Sequence, residues 1–234
     1  MSNTIDVGSV IRRTFDTYVD QASVLLPAAA VVFVIEGILS AALIAASPAL
    51  VFVSFILSLV ASTLFTGMVV QLVADIQDGR RDASAGQLLR AAMPVLGQLI
   101  LVGLVAGIGI VVGLVLLIVP GLILITIWSV AAPVVVLERP GVTGALGRSR
   151  ELVRGNGWQV FGVLVVMVIL VGVVSAILDS IGRAAGAGAG LLVSVVVGVL
   201  TAPLPALAQS VLYFELRNGP AGAEPALGQP ADVV

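Results

Sequence analysis

Ala91 to Leu137 reads AAMPVLGQLILVGLVAGIGIVVGLVLLIVPGLILITIWSVAAPVVVL, 47 residues without a charge between Arg90 and Glu138. A helix rises 1.5 Å per residue and the hydrocarbon of a bilayer is about 30 Å thick, so one crossing takes about 20 apolar residues. This run therefore holds two crossings. Uncharged runs of 38 residues, Gly37 to Ala74, and of 24, Gly155 to Leu178, stand on either side of it. Hydrophobic residues make up 59% of the 234 and charged residues 10%. With a mean hydropathy of +1.20, the chain is outside the range of soluble domains. The expected fold is all-α, a polytopic helical membrane protein.

Windows of about 19 residues place six spans: Val24 to Ala46, Leu50 to Ala74, Val95 to Val119, Leu122 to Leu137, Trp158 to Leu178 and Leu191 to Leu216. The fourth is the shortest, reaching about 24 Å. Pro120 at its first turn would lengthen it slightly, with the chain reversing at Pro120–Gly121. A re-entrant hairpin is the alternative for the third and fourth spans, and the length of the run favours two full crossings.

The connections differ in charge. Segments 1–23, 75–94, 138–157 and the tail beyond Leu216 carry Arg12, Arg13, Arg80, Arg81, Arg90, Arg139, Arg148, Arg150, Arg154 and Arg217. The Ser47–Pro48 turn, the Pro120–Gly121 turn and the Asp179 to Gly190 loop carry only Arg183. Ten against one predicts both termini in the cytoplasm of a bacterial inner membrane by the positive-inside rule. The first apolar run follows Asp6, Asp16 and Asp20 and exceeds a signal-peptide core in length, so it reads as an uncleaved span. Asn218 to Val234, rich in Gly, Pro and Ala, reads as a disordered cytoplasmic tail. The Gly-rich segment Gly182 to Gly190 reads as a flexible loop, without the lysine and strand–loop–helix setting of a phosphate-binding motif.

The Arg-bearing segments share a pattern: Gly8-Ser-Val10-Ile-Arg12, Gly86-Gln-Leu88-Leu-Arg90 and Gly144-Ala-Leu146-Gly-Arg148. Around the first, Val7, Val10, Ile11, Phe15, Tyr18 and Val19 form one helical stripe, with Arg12, Arg13, Asp16, Asp20 and Gln21 opposite. Leu88, Leu89, Ala92, Met93 and Leu96 repeat the stripe in the second, and Val142, Ala145, Leu146, Leu152 and Val153 in the third. Such helices fit a membrane interface, apolar face down and Arg toward headgroups. The chain then divides into 1–217, an integral membrane domain of three units at 5–74, 83–137 and 141–217, and a tail at 218–234. Each unit is an interfacial amphipathic helix followed by a helical hairpin, a pseudo-threefold repeat. Duplication of this kind either builds a stable bundle or forms a site between units, as in transporters.

Absence of Cys and His removes thiolate chemistry and the commonest general base and metal ligand. No catalytic residue, metal or cofactor is expected. All 11 basic residues are Arg, which with the Ala, Gly and Val content points to a GC-rich bacterial genome. A net charge of −2 implies no attraction to nucleic acid. Asp75, Asp78 and Asp82 cluster beside Arg80 and Arg81 and read as a solvated turn.

PGLILITIWSVAAPVVVLERPGVTGALGRSRELVRGNGWQVFGVL, Pro120 to Leu164, and VLYFELR, Val211 to Arg217, resemble the bacterial membrane-domain family named after glycerophosphoryl diester phosphodiesterase. The features carried are Pro120–Gly121, Pro133 before the Glu138 exit, the Ala145 to Ser149 segment, Trp158 and the Tyr213 to Arg217 ending. In the fused phosphodiesterases hydrolysis belongs to a separate soluble domain with His and metal-bound carboxylates, which this chain has no residues to supply. The resemblance implies a membrane module and no esterase.

Several residues invite a functional reading. Glu36 lies about 18 Å into the first span, where an ionised carboxylate costs of order 3 kcal/mol and marks a functional candidate, or else a Glu hydrogen-bonded to a neighbouring helix. Pro203 and Pro205 interrupt the sixth span and would free carbonyls near Thr201 and Gln209, as at transport sites or in a tolerated kink. Gly103, Gly107, Gly109 and Gly113 make two small-xxx-small pairs for close helix approach, within the chain or between copies. Glu138, Arg139, Arg148, Arg150, Glu151 and Arg154 form the densest charge cluster. Its arginines either bind anionic headgroups or anchor topology with Arg150 or Arg154 paired to Glu151, and Trp158 stands at the depth of the aromatic belt.

The function these features favour is a noncatalytic inner-membrane protein acting through lipid or protein contacts, with Arg12, Arg90, Arg148, Arg150, Arg154 and Trp158 as lipid-binding residues. The alternative is a small transporter or lipid-handling protein with a site between units near Glu36, Pro203, Pro205 and Gln209. The partners implied are membrane lipids and an unspecified membrane protein.

Overall fold

Where the sequence is apolar for two dozen residues at a time, the backbone has no water to bond with and satisfies itself in helices. The computed structural model describes residues 5–79, 84–184 and 186–219, the side chains of 187–192 excepted. It is all-α: α1 Val7–Asp20, α2 Ala22–Ala46, α3 Val51–Gln77, α4 Ala85–Ala92, α5 Leu96–Leu116, α6 Ile118–Ile127, α7 Ala131–Leu137, α8 Val142–Val153, α9 Gly157–Ala184, α10 Ala187–Thr201 and α11 Pro203–Asn218. Among the described residues six helical segments are long and apolar enough to cross a membrane. They run Ala22–Ala46, Pro48–Gln77, Ala85–Leu116, Ile118–Leu137, Gly157–Ala184 and Val193–Asn218. Spans one to five are longer than read from sequence, because a helix needs no apolar residues to continue past the hydrocarbon, while span six keeps its expected length and shifts toward the C-terminus. The Asp179 to Gly190 loop is mostly helix: α9 persists to Ala184, and α10 begins at Ala187 after Gly186, whose φ of +106° favours glycine. Asn218 closes α11, and the rest of the tail, 220–234, lies outside the described residues.

The short helices α1, α4 and α8 carry the three copies of the Gly-x-x-x-Arg pattern in their first turns. Asp6 caps α1, accepting from the Ser9 amide at 2.8 Å, and Ser84 caps α4 in a reciprocal capping box with Gln87. Their docking follows one rule. Helix α4 packs on α3, α8 on α7, and α1 on α11, so each amphipathic helix sits on the second span of the hairpin before it and α1 closes the circle. The second spans α3, α7 and α11 also touch one another, forming the centre.

Burial is concentrated at the end of the bundle that carries these short helices. Residues sealed there are Leu25, Phe65, Leu72, Leu88 and Leu207 in one cluster and Val10, Val134, Leu152, Val160, Leu212 and Tyr213 in the other. Toward the hairpin tips the side chains turn outward, and Val115 is 80% exposed. Exposed apolar side chains cost nothing in lipid, where helices associate through packing and not through the hydrophobic effect. Apolar surface removed from water contributes about 25 cal/mol per Å², and the cores lie where the amphipathic helices bring their apolar faces onto the spans.

The fourth span corrects the sequence reading in two places. Reversal between α5 and α6 occurs at Leu117, whose backbone is extended, and not at Pro120–Gly121. Pro120 is instead the third residue of α6, within the first turn, where a missing N–H removes no helical bond. The span is also not one helix. It breaks at Trp128–Val130 between α6 and α7, four residues before the donor that Pro133 lacks. Gly121 faces α5 so closely that a Cβ on it would stand 2.7 Å from the Leu114 amide nitrogen, and reciprocally a Cβ on Gly113 would stand 3.1 Å from the Gly121 Cα and amide nitrogen. Of the two small-xxx-small pairs, Gly109 and Gly113 serve this hairpin, with the Trp128 ring over Gly109, while Gly103 and Gly107 face open space.

We therefore expect Gly121→Val to destabilise the protein by about 1–3 kcal/mol through overpacking, read as a lowered unfolding midpoint in detergent. Gly103→Val, with no atom within 4 Å of its Cβ, is the control and should leave the midpoint unchanged. Equal effects of the two would contradict the close α5–α6 approach.

Candidate functional site

Helix α8 presents its arginines in two different settings. Arg148 is drawn inward: its Nε donates to Glu138 at 3.2 Å and its guanidinium reaches Glu151 at 3.5 Å. The other Glu138 oxygen accepts from the Tyr213 hydroxyl at 2.8 Å, so the carboxylate joins α7, α8 and α11. Arg148 is thereby a fastening residue, unlike its counterparts Arg12 and Arg90 in the sequence pattern, which are exposed. Arg150 and Arg154 are exposed and, with Arg12 and Arg90, form no ion pair among the described residues. The expected pairing of Glu151 with Arg150 or Arg154 is thus taken by Arg148. Trp158, in the first turn of α9, is 84% exposed with its ring edge toward Phe161, centroids 6.2 Å apart.

Helix α1 is fastened at several points. Arg13 pairs with Glu215 of α11. The Ile5 amide donates to Asn156 Oδ1 at 3.3 Å, and the Tyr18 hydroxyl donates to the Leu200 carbonyl at 3.0 Å, beside the break in the sixth span. Burial raises the Tyr18 phenol above its ordinary value of 10.0, so it keeps its donor proton to higher pH. A raised value contributes stability below the unfolded pKa that is lost as pH climbs through the folded one. Between α1, α3 and α11 lies a cavity of about 410 Å³ lined by Arg13, Asp16, Asp20, Gln77 and Glu215 among others.

The residues read as an intramembrane site do not come together. Glu36 lies in the α2–α3 hairpin, accepting from Ser40 Oγ at 2.8 Å and from Ser58 Oγ. Ser54 Oγ extends this ladder to the Ser40 and Leu50 carbonyls at 3.4 and 3.3 Å. Pro203 begins α11, so the sixth span is divided at Ala202, whose own backbone stays in the helical region. The carbonyls that lose donors are those four residues before each proline, Val199 and Thr201. Gln209 stands within unbroken α11 and its carbonyl stays in the helix ladder, which corrects the expectation for that residue. Asp75 is on α3 and Asp78 is its C-cap, whereas Arg80, Arg81 and Asp82 lie outside the described residues.

Sequence reading missed the Glu138–Tyr213 bond and the Ser149 hydroxyl, which is fully buried and donates to the Ile127 carbonyl at 2.8 Å. The signal for the second was present: a hydroxyl on the apolar face of an amphipathic helix needs a partner when buried. For the first there was none, since 75 residues separate the two groups.

Among known proteins the chain is 34% identical over 99 residues to a UPF0259 membrane protein of Pectobacterium carotovorum subsp. carotovorum. The match covers 42% of this chain and 39% of that relative, so the chain aligns with about two fifths of the relative's length. No family model matches the chain, and no solved structure matches it. The likeness is to a membrane protein, as composition and spans require. It does not extend to the phosphodiesterase-named membrane-domain family.

The Glu138–Tyr213 bond should contribute about 1 kcal/mol. Tyr213→Phe and Glu138→Ala are expected to show a coupling energy above about 0.5 kcal/mol in a double-mutant cycle of unfolding in detergent. Strictly additive losses would show that the bond contributes nothing.

Proposed function

We propose that this chain is a noncatalytic integral protein of a bacterial inner membrane that acts by holding anionic lipid headgroups on its interfacial helices. The observation that carries this reading is the exposure of Arg12, Arg90, Arg150 and Arg154 on α1, α4 and α8, unpaired among the described residues. A guanidinium offers five donors in a planar fork that matches phosphate, and a basic residue near an anionic surface contributes about 1 kcal/mol. The finer family resemblance, to the membrane domains named after the phosphodiesterase, belongs to this proposal and rests on the Pro120 to Leu164 and Val211 to Arg217 segments. So does the three-unit organisation, 5–74, 83–137 and 141–217. Its support is the common docking of each amphipathic helix on the preceding second span. Transport through a site near Glu36 has less support, because the carboxylate is engaged by Ser40 and Ser58.

The proposed orientation puts both termini in the cytoplasm. Reporter fusions after Ser47, Leu117 and Gly188 should read as external, and those after Arg81, Gly155 and Gly219 as cytoplasmic. An external reading at Gly219 would overturn the even number of crossings.

Replacing Arg12, Arg90, Arg150 and Arg154 together with Gln should abolish the preference of the detergent-purified protein for phosphatidylglycerol over phosphatidylcholine in native mass spectrometry. High salt should mimic the loss, as it screens exposed charge. An unchanged preference would assign these arginines to topology alone.

A further inference from the structure

Two cavities share a wall at the junction of α8 and α9. The first, of about 650 Å³, is lined by Ile127, Gly147, Arg150, Glu151, Val153, Arg154, Gly155 and Gly157. The second, of about 630 Å³, is bounded by α6 and α9 through residues that include Leu122, Ile123, Thr126, Trp158 and Phe161. Ile127, Gly155 and Gly157 line both. The two therefore adjoin as one furrow, a cationic mouth beside an almost wholly apolar trough between two spans.

We infer that this furrow is a binding site for one anionic phospholipid, its phosphate held between Arg150 and Arg154 and an acyl chain lying between α6 and α9. This inference rests on the headgroup-holding function proposed above and assigns it a single principal site. Charge sorting makes the mouth cationic. Glu151, the one acid in its wall, points a carboxylate oxygen to Arg148, and Arg148 is itself held by Glu138. Arg150 and Arg154 are left without a carboxylate partner among the described residues.

Shape agrees with charge. Gly155 and Gly157, where the two volumes meet, and Gly147 in the mouth have no atom within 4 Å of where a Cβ would stand, so missing side chains leave this space open. Gly155 has φ of +91° and needs to be glycine for its backbone, whereas Gly147 and Gly157 do not. Both ends fit one amphiphile: a phosphate for the guanidinium pair and a hydrocarbon chain for Leu122, Ile123 and Phe161. A soluble phosphate compound would leave the trough empty, and an apolar ligand would leave the two arginines without an anion.

The test uses the full chain in detergent with phosphatidylglycerol, phosphatidylcholine and glycerol phosphate, followed by a phosphatidylglycerol bearing a photoreactive acyl chain. Arg150→Gln with Arg154→Gln should weaken phosphatidylglycerol binding roughly tenfold or more, from two lost headgroup contacts. Arg12→Gln with Arg90→Gln should leave most of it. Gly157→Leu, which keeps both arginines and fills the shared wall, should also weaken binding while the unfolding midpoint holds. Photolabel should concentrate on 118–127 and 157–161. Equal losses in the two arginine pairs, or label spread over all six spans, would overturn the single site while leaving general headgroup binding intact. Unchanged lipid preference with all four arginines replaced would remove the headgroup reading itself. Glycerol phosphate binding as tightly as the lipid would show an anion site with no role for the trough.

Discussion

A broken helix inside a bilayer has to find partners for the carbonyls it releases, because hydrocarbon offers none. Two of the three central spans here are broken, and beside each break a hydroxyl from an amphipathic helix bonds a carbonyl, at the second break that of Leu200, which stands between the released Val199 and Thr201. Ser149 of α8 reaches Ile127 at the end of α6, and Tyr18 of α1 reaches Leu200 at the end of α10. The breaks thus place the interfacial helices, and the helices hold the breaks. The remaining central span, α3, is continuous, and its partner α4 docks through apolar contacts such as Ala92 against Gly67, 3.2 Å from a Cβ built there.

This constraint explains why order is concentrated at one end. Around α3, α7 and α11 the short helices supply apolar faces that are removed from interfacial water, and nearly every fully buried large side chain lies there. Beyond that collar the hairpins are held by local devices: glycine contacts at Gly113–Gly121 and Gly182–Val193, and the serine ladder that engages Glu36. A costly intramembrane acid is therefore accounted for by its own hairpin.

The collar also sorts charge. Glu138 collects Arg148 and Tyr213 where α7, α8 and α11 meet, and Arg148 in turn engages Glu151. These groups are partly exposed, so the ion pairs contribute modestly to stability. Their larger effect is on what remains. With both nearby acids turned to Arg148, the neighbouring Arg150 and Arg154 have no ion-pair partner among the described residues.

The membrane class, the helical fold and the existence of six spans were legible in the sequence, because crossing hydrocarbon demands a length of apolar residues that any reader can count. The amphipathic helices were legible too, since a stripe at helical period is local information. Gly121, Glu138 and Gln209 show where that stops. A glycine at an expected turn, an acid in a charge cluster and a glutamine near two prolines look alike as candidates until the helices are packed. Only tertiary structure decided that Gly121 admits the α5 backbone, that Glu138 pairs with Arg148 while Arg12 and Arg90 stay exposed, and that Gln209 is ordinary helix. The reason is physical: span length and amphipathicity are properties of consecutive residues, while partner choice depends on which atoms of distant segments arrive within about 3 Å of one another.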